Sequence, residues 1–568
     1  MTASASLFIS YRRNQLDRVQ PVAEALRAAG LDVFLDLDAI DPLADFPARI
    51  EAGIGGAHVV LVWWSADYAD SDFCLQELTL AWGHARRQTS QLAERIWIVN
   101  PEAGTGHITA GELDASNFLR APAPGAEAAF AADLARRAAG FTSVTQNLAS
   151  ETASAADLAD TPPPAGIRVM TRNFVGRGRE LWALHSRLQP TSVVAQINAV
   201  SVQTHGLGGI GKTELAAAYV AKFGRAYPGG VFWLSLASAE LRLAGADPAN
   251  RAAIAESVWL DALAQALERH PWLSGQPPAL RLRDAENKPR PAAAVARDVM
   301  ALLDGRASLW VLDNLPANLS ATKPTDAILG RWMLDWPARH LLTTRDAGPL
   351  PGVTALPLDR LGEVDALRLL LRFSGDKHDD PAEQAAAREL VRRVGGHAVA
   401  LTLLGAQRAR AAAYAEVLRS IDATRPQALL DRLHAIATRP AIAAQLQEHA
   451  RDIVAVFRTS VDSLGAQDPS GLLRHDAERL LLLASLGAPN VALRAGLLVD
   501  AFVGAETARA GAAAVDEVAL RDRAGDALEE LRRASLLTRR EATDDYELHP
   551  LLGEAVAVLV QVGEEAEG

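Results

Sequence analysis

Along the first 140 residues, short apolar runs alternate with segments whose apolar positions recur at helical spacing. Ser6-Leu-Phe-Ile-Ser10 and Asp32-Val-Phe-Leu-Asp36 read as strands, with a helix from Gln15 to Ala29 between them that stops at Gly30. Ala57-His-Val-Val-Leu-Val-Trp63 is apolar at nearly every position, as in a strand buried on both faces. Ser71 to Gln88 reads as a helix, with Ser71 as N-cap and Asp72 in the first turn. Arg95-Ile-Trp-Ile-Val99 is a further strand. This alternation predicts a parallel sheet covered by helices. Residues 141–168 break the pattern: they are rich in Ser, Thr and Ala, end in three prolines, and read as a mobile linker with a stiff tip. A second α/β unit follows over 169–355, with a helical insertion rich in Pro, Arg and Ala at 238–292. From 356 the pattern is helical, divided into units at 356–425 and 426–568, and a hairpin-like piece runs from Ser535 to Leu548. No repeat of 20–50 residues is visible.

A length of 568 residues suits about four domains, and 49% hydrophobic with 22% charged residues suits a globular, soluble chain. A net charge of −12 argues against nucleic-acid or anionic-membrane partners. One cysteine, Cys74, permits no intrachain disulfide and points to a reducing compartment. The start of the chain lacks a basic-then-apolar leader. The longest apolar runs, 57–64 and 480–498, are short or interrupted by Pro489 and Arg494. They fall short of the roughly twenty residues of a membrane span, so a cytoplasmic location is expected.

The sharpest chemical signal is Gly206-Leu-Gly208-Gly209-Ile-Gly211-Lys212-Thr213, which fits the phosphate-loop pattern G-x-x-x-x-G-K-[ST]. Glycines let successive backbone N–H groups turn toward phosphate oxygens. Lys212 is placed to reach the β/γ-phosphates and Thr213 to ligate Mg²⁺. The run Val200 to His205 reads as the strand before the loop, and Glu214 to Phe223 as the helix after it. Ser308-Leu-Trp-Val-Leu-Asp313 is an apolar strand ending in an acid suited to Mg²⁺. His340-Leu-Leu-Thr-Thr-Arg345 ends in a cation that would sense a γ-phosphate or simply be solvated. Asn314 stands where many such ATPases carry a second acid; an amide cannot act as a base, so slow hydrolysis is expected.

Phe174-Val-Gly-Arg177-Gly-Arg-Glu180, the phosphate loop, Leu309-Trp-Val-Leu-Asp-Asn314 and Leu341-Leu-Thr-Thr-Arg345 together resemble the NB-ARC class of STAND NTPases. Gly396-His-Ala-Val-Ala-Leu401 resembles that family's GLPLAL element, with Ala398 in place of proline. Tyr546-Glu-Leu-His549-Pro-Leu-Leu resembles its MHD element, with Pro550 in place of the acid. The resemblance implies a P-loop α/β domain, a helical domain and a winged-helix domain that bind ATP or ADP. Arg177 and His549 would join the nucleotide contacts, His549 at the β-phosphate of ADP.

At the other end, SLFISYRR, then VFLD, then VVLVWWSADYADSDFCLQEL resemble a TIR domain over residues 1–140. Ser71-Asp-Phe73-Cys74-Leu-Gln-Glu77-Leu78 is similar to the family's S-x-W-C-x-x-E-L, with Phe73 for tryptophan. Asp36 to Phe46 matches the family's BB loop, keeping Pro42 but with Leu43 where glycine is usual. The resemblance implies a flavodoxin-like fold and, in NAD⁺-cleaving members, a catalytic role for Glu77. Cys74, Glu77 and Leu78 share one helix face. A carboxylate facing a cleft there would hold ribose hydroxyls and favour an oxocarbenium-like transition state. Tyr11, Arg12, Asp36, Phe46 and Cys74 are the other NAD⁺-site candidates; Tyr11 and Arg12 are expected over the carboxyl end of the sheet.

The expected architecture is thus multidomain, α/β followed by α. The expected function is an ADP/ATP switch whose self-association, through TIR and nucleotide-binding domains, turns on NAD⁺ cleavage in immune-type or cell-suicide defence. A non-enzymatic TIR scaffold is the alternative. A DNA-binding winged helix fits less well, because Arg532, Arg533, Arg539 and Arg540 read as a solvated face. STAND proteins usually carry a repeat sensor, which leaves a separate sensor protein, a longer chain, or sensing by the control domains themselves.

Overall fold

The computed structural model describes residues 4–36, 48–108, 118–141, 147–149, 174–188, 194–199, 210–236, 251–268, 282–315, 338–344, 353–374, 380–409, 413–423, 464–486, 493–510, 516–540 and 545–548, with gaps of one or two residues inside some spans, plus Leu113, Val461 and Val556. The first unit contains β1 (Ser6–Tyr11), α1 (Leu16–Ala28), β2 (Asp32–Leu35), α2 (Ala48–Gly56), β3 (Val59–Trp63), α3 (Asp72–Gln88), β4 (Ile96–Asn100), β5 (Leu119–Arg120) and α4 (Glu127–Ala138). Its sheet is parallel, in the order β2-β1-β3-β4-β5. The alternation along β1 sorts its side chains between two cores. Leu7, Ile9 and Tyr11 pack with α1 and α4, while Phe8 packs on the α2 and α3 side. The strand order reverses between β1 and β3, which opens a crevice at their carboxyl ends.

Part of the expected linker is attached to this unit. Leu148 N–H donates to the Ala57 carbonyl and Ala149 N–H to that of Gly55, and Leu148 is buried. Burial of one leucine and two backbone bonds outweighs the local composition there.

The second unit contains α5 (Gly178–Leu188), β6 (Val194–Ala199), α6 (Lys212–Phe223), β7 (Val231–Ser235), α7 (Arg251–Glu268), α8 (Ala292–Leu302), β8 (Leu309–Leu315), β9 (Arg339–Thr344) and β10 (Val353–Leu358). Its sheet is also parallel, ordered β10-β6-β9-β8-β7. The strand described ahead of the phosphate loop is 194–199; residues 200–209 lie outside the described residues. The expected helical insertion contributes α7, whose Trp259 and Leu263 are buried with Phe232 and Trp310. This helix therefore covers the sheet.

The two α/β units share one hydrophobic core. Leu75, Leu78 and Trp82 of α3 belong to the same buried cluster as Leu181 and Trp182 of α5 and Tyr219 and Phe223 of α6.

The remainder is helical: α9 (Glu363–Ser374), α10 (Pro381–Arg393), α11 (Ala398–Ala409), α12 (Tyr414–Ala423), α13 (Leu472–Ser485), β11 (Leu493–Arg494), α14 (Ala495–Ala510), α15 (Glu517–Arg533), β12 (Leu537–Arg540) and β13 (Asp545–Leu548). The late hairpin forms as expected: β12 and β13 pair antiparallel, with β11 on the other edge of β13. Arg523 donates to both oxygens of the buried Asp476 at 2.6 and 2.8 Å, tying α15 to α13. Gly396 has φ +69°, and a Cβ there would lie 2.3 Å from the Leu361 carbonyl oxygen. Only glycine fits, which explains the first residue of the Gly396–Leu401 element. Among the described residues no helix is long and apolar enough to cross a membrane.

Candidate functional site

The carboxyl end of β1 gathers most of the N-terminal candidates. Helix α3 starts where Ser71 Oγ accepts from Cys74 N–H at 3.3 Å. That cap sets the helix phase and turns Cys74, Glu77 and Leu78 inward. From β1, Ser10 follows Phe8 onto the same side of the sheet. Ser10 Oγ lies 2.5 Å from Glu77 Oε2 and 2.6 Å from the Tyr68 hydroxyl. The Tyr68 hydroxyl in turn lies 3.0 Å from the Cys74 carbonyl oxygen. Three contacts need three protons. With Glu77 ionised, only the two hydroxyl protons are present; with Glu77 protonated, each contact has its own.

Burial agrees with that count. Glu77 is 7% exposed. Desolvation raises its pKa to about 8, against the opposing effect of the Ser10 hydrogen bond. The carboxylate expected to face a cleft is thus a buried acid, mostly neutral at pH 7. Burial also holds the Tyr68 phenol well above its ordinary value.

The neighbours have defined partners. Tyr11 donates to the Asp36 carbonyl at 2.7 Å, and Arg13 donates to the same oxygen at 3.0 Å. The Asp36 carboxylate pairs with Arg49 at 2.7 Å. Arg12 Nε reaches Asp67 at 3.4 Å. Asp67 is held below the usual carboxylate range by hydrogen bonds from Ser65, then Asn14 and Arg12. Phe46 lies outside the described residues. Cys74 is buried, and desolvation pushes its thiol to about 12. Such a thiol is neither nucleophile nor redox sensor. Iodoacetamide at pH 8 should label Cys74 only after denaturant is added. Stoichiometric labelling of the folded protein within minutes would contradict this environment.

The second cluster lies at the start of α6. Gly211 adopts φ +95°, a left-handed conformation, and turns the chain into the helix that begins with Lys212 and Thr213. Thr213 Oγ1 donates to Asp313 Oδ1 at 2.8 Å, and Thr343 Oγ1 donates to the same oxygen at 2.6 Å. The sheet order explains this meeting, since β9 inserts between β6 and β8. A hydroxyl and a carboxylate are hard oxygen donors of the kind Mg²⁺ accepts alongside waters and phosphate oxygens. Among the described residues no three or more His, Cys, Asp or Glu side chains are grouped to hold a metal.

Arg177 is buried in a left-handed backbone conformation, φ +62°. It donates to Glu180 at 2.8 Å, to the Asp359 carbonyl at 2.5 Å and to the Ile210 carbonyl at 3.5 Å. It thus touches the phosphate loop through that loop's backbone. Gly206, Gly208, Gly209, Arg345 and His549 lie outside the described residues. Ser10, Tyr68 and Thr343 are site residues that sequence reading passed over. Strand alternation from Phe8 was the available signal for Ser10; nothing local marked Tyr68.

Two doubly wound parallel α/β units, each with polar side chains gathered at strand ends, define the class. Residues 7–120 match the TIR domain family, so the first unit is a TIR domain. No curated protein matches the chain. Among solved structures, a STAND protein with a tetratricopeptide repeat sensor from Pyrococcus horikoshii aligns at 15% identity and TM-score 0.35, over 70% of this chain and 44% of that one. The chain thus spans less than half the length of that protein. The Aeropyrum pernix ORC2 protein, in ADPNP–ADP complexes, aligns at 16% identity and TM-score 0.28, over 72% of this chain and 98% of that one. The Drosophila ORC bound to DNA aligns at 15% identity and TM-score 0.25, over 68% of this chain and 94% of that one.

Proposed function

We propose that this chain is a STAND-type ADP/ATP switch controlling a TIR domain that cleaves NAD⁺ in immune-type or cell-suicide defence. The contact of Thr213 with Asp313, at the end of a phosphate loop, is the observation that carries the reading. Lys212 would hold the β/γ-phosphates. Thr213 and Asp313 would hold Mg²⁺, which supplies charge neutralisation between phosphate oxygens. Asn314 favours slow turnover, which suits a switch. His549 and Arg345 are proposed to contact the nucleotide's phosphates.

In the TIR domain, Glu77 sits at the crevice where strand order reverses, the usual ligand position in such sheets. Its burial fits a resting state. Self-association would expose and ionise it, so that the carboxylate favours the cationic transition state as nicotinamide leaves. That same burial also favours a second reading, a TIR scaffold that cleaves nothing.

Nicotinamide release from NAD⁺ by the full chain, with ADP or ATP and Mg²⁺, separates the two. Release with ATP and little with ADP is expected. No release under any nucleotide condition leaves the scaffold. A further expected result concerns Asp313→Ala, which should cost about tenfold in Mg²⁺-dependent ATP affinity through loss of one charged contact. Equal affinity with and without Mg²⁺ in both proteins would remove the metal assignment.

A further inference from the structure

Helix α3 carries Glu77 on one face and a docking seam on another. Thr79 and Trp82 follow Glu77 by two and five residues, which at about 100° per residue places them about 200° and 140° around the helix. Both are buried against the nucleotide-binding unit. Trp182 Nε1 of α5 donates to Thr79 Oγ1 at 2.9 Å and approaches the Leu75 carbonyl at 3.4 Å. Thr79 Oγ1 donates to the same Leu75 carbonyl at 2.5 Å. Trp82 lies edge-on to His185, ring centres 5.2 Å apart, and 4.9 Å from Phe223 of α6. His185 stacks on Phe223 at 4.3 Å, and Tyr219 stacks on Phe223 at 5.2 Å. His185 Nδ1 meets the Tyr219 hydroxyl at 3.2 Å.

Phe223 and Tyr219 belong to the same helix whose first residues are Lys212 and Thr213. The phosphate end and the seam are about 16 Å apart along one helix, at 1.5 Å per residue. A helix of that length moves as a rod. A close-packed aromatic cluster passes displacement on or repacks into a second arrangement, since it has little room to deform gradually.

We propose that this aromatic seam couples the nucleotide site to the TIR domain. Phosphates gripped at the start of α6 set the position of α3 through Phe223, His185, Trp182 and Thr79, and α3 sets the position of Glu77. Trp182 is a positioning residue in this scheme. The proposal rests on the nucleotide-switch reading above. It does not depend on whether Glu77 cleaves NAD⁺.

The test uses the full chain and two conservative variants. Thr79→Val keeps the shape and deletes the hydroxyl; Trp182→Phe keeps an aromatic ring and deletes the donor. The readouts are ADP and ADPNP affinity and amide hydrogen exchange across residues 72–88. In the parent, exchanging ADP for ADPNP should change α3 exchange about fivefold or more, within the usual range of coupling between sites. In either folded variant the nucleotides should still bind, and the α3 response should fall below about twofold. If one variant fails to fold, the other carries the same reading. Bound nucleotide with no α3 response in the parent overturns the coupling and leaves the switch reading standing. So does a full response in a folded variant. Absence of nucleotide binding in the parent overturns the switch reading and the coupling together.

Discussion

In the Glu77→Gln variant of this chain, NAD⁺ turnover is expected to fall about a hundred-fold or more, while the fold gains stability at alkaline pH. Both effects come from one buried carboxyl. Desolvation holds its pKa at about 8 in the folded chain, against an ordinary carboxyl value of about 4.5. Below about pH 4.5 both states hold the proton and the group costs nothing. Between 4.5 and 8 the unfolded chain releases a proton that the folded chain keeps, so stability drops as pH rises. Above about 8 the full cost is present, on the order of a few kcal/mol at about 1.4 kcal/mol per pK unit. Glutamine keeps the shape and can donate to Ser10 Oγ without ever ionising. The parent's melting temperature should therefore decline from pH 5 to pH 9. The variant should stay flatter and melt on the order of 5–10 °C higher at pH 9. A variant that cleaves NAD⁺ at the parental rate removes the catalytic role. A variant with the parent's pH slope in melting removes the buried-acid assignment, whatever the catalysis does.

Lys212→Ala is expected to weaken ADP and ATP binding ten- to a hundred-fold, the loss of about 1.5–3 kcal/mol for a charge-assisted contact to phosphate. Lys212 is the first residue of α6, so the helix N-terminus and the Thr213–Asp313 contact remain. Folding should be preserved, which circular dichroism and thermal melting would verify. Calorimetric titration with ADP and with ATP plus Mg²⁺ reads the affinity. Parental affinity in a folded variant would sink the phosphate-loop assignment.

Much of the fold is legible from periodicity because its strands are so strongly patterned. Val59–Trp63 is buried at every position, and its continuous apolar run says so. The Ser71 cap is equally local, since a serine before Asp72 has a near-neighbour N–H to accept from. The Thr213–Asp313 meeting was readable at longer range because each residue closes a recognisable strand–loop pattern. The burial of Glu77 was not. Helical spacing places it beside Cys74 and Leu78 but does not show that Ser10 and Tyr68, 67 and 9 positions earlier, close over the carboxyl. Residues 238–292 are legible in kind but not in placement. The helix expected there forms as α7, but its composition does not show that Trp259 is wholly buried on the sheet. The docking of α3 on α5 is likewise silent in sequence, since Trp82 and Trp182 look like ordinary core residues of separate units.

The core shared by the two α/β units also bears on how such chains diversify. A signalling module joined only by a flexible tether is freely exchangeable by gene fusion. Here a replacement would have to bring its own helix with a threonine and a tryptophan three residues apart, facing Trp182 and Phe223. A module lacking that surface would leave the indole N–H of Trp182 without its acceptor and a bank of aromatic rings open to water. The seam therefore ties the two units together, so that a change at Trp82 or Phe223 is felt on both sides of the joint.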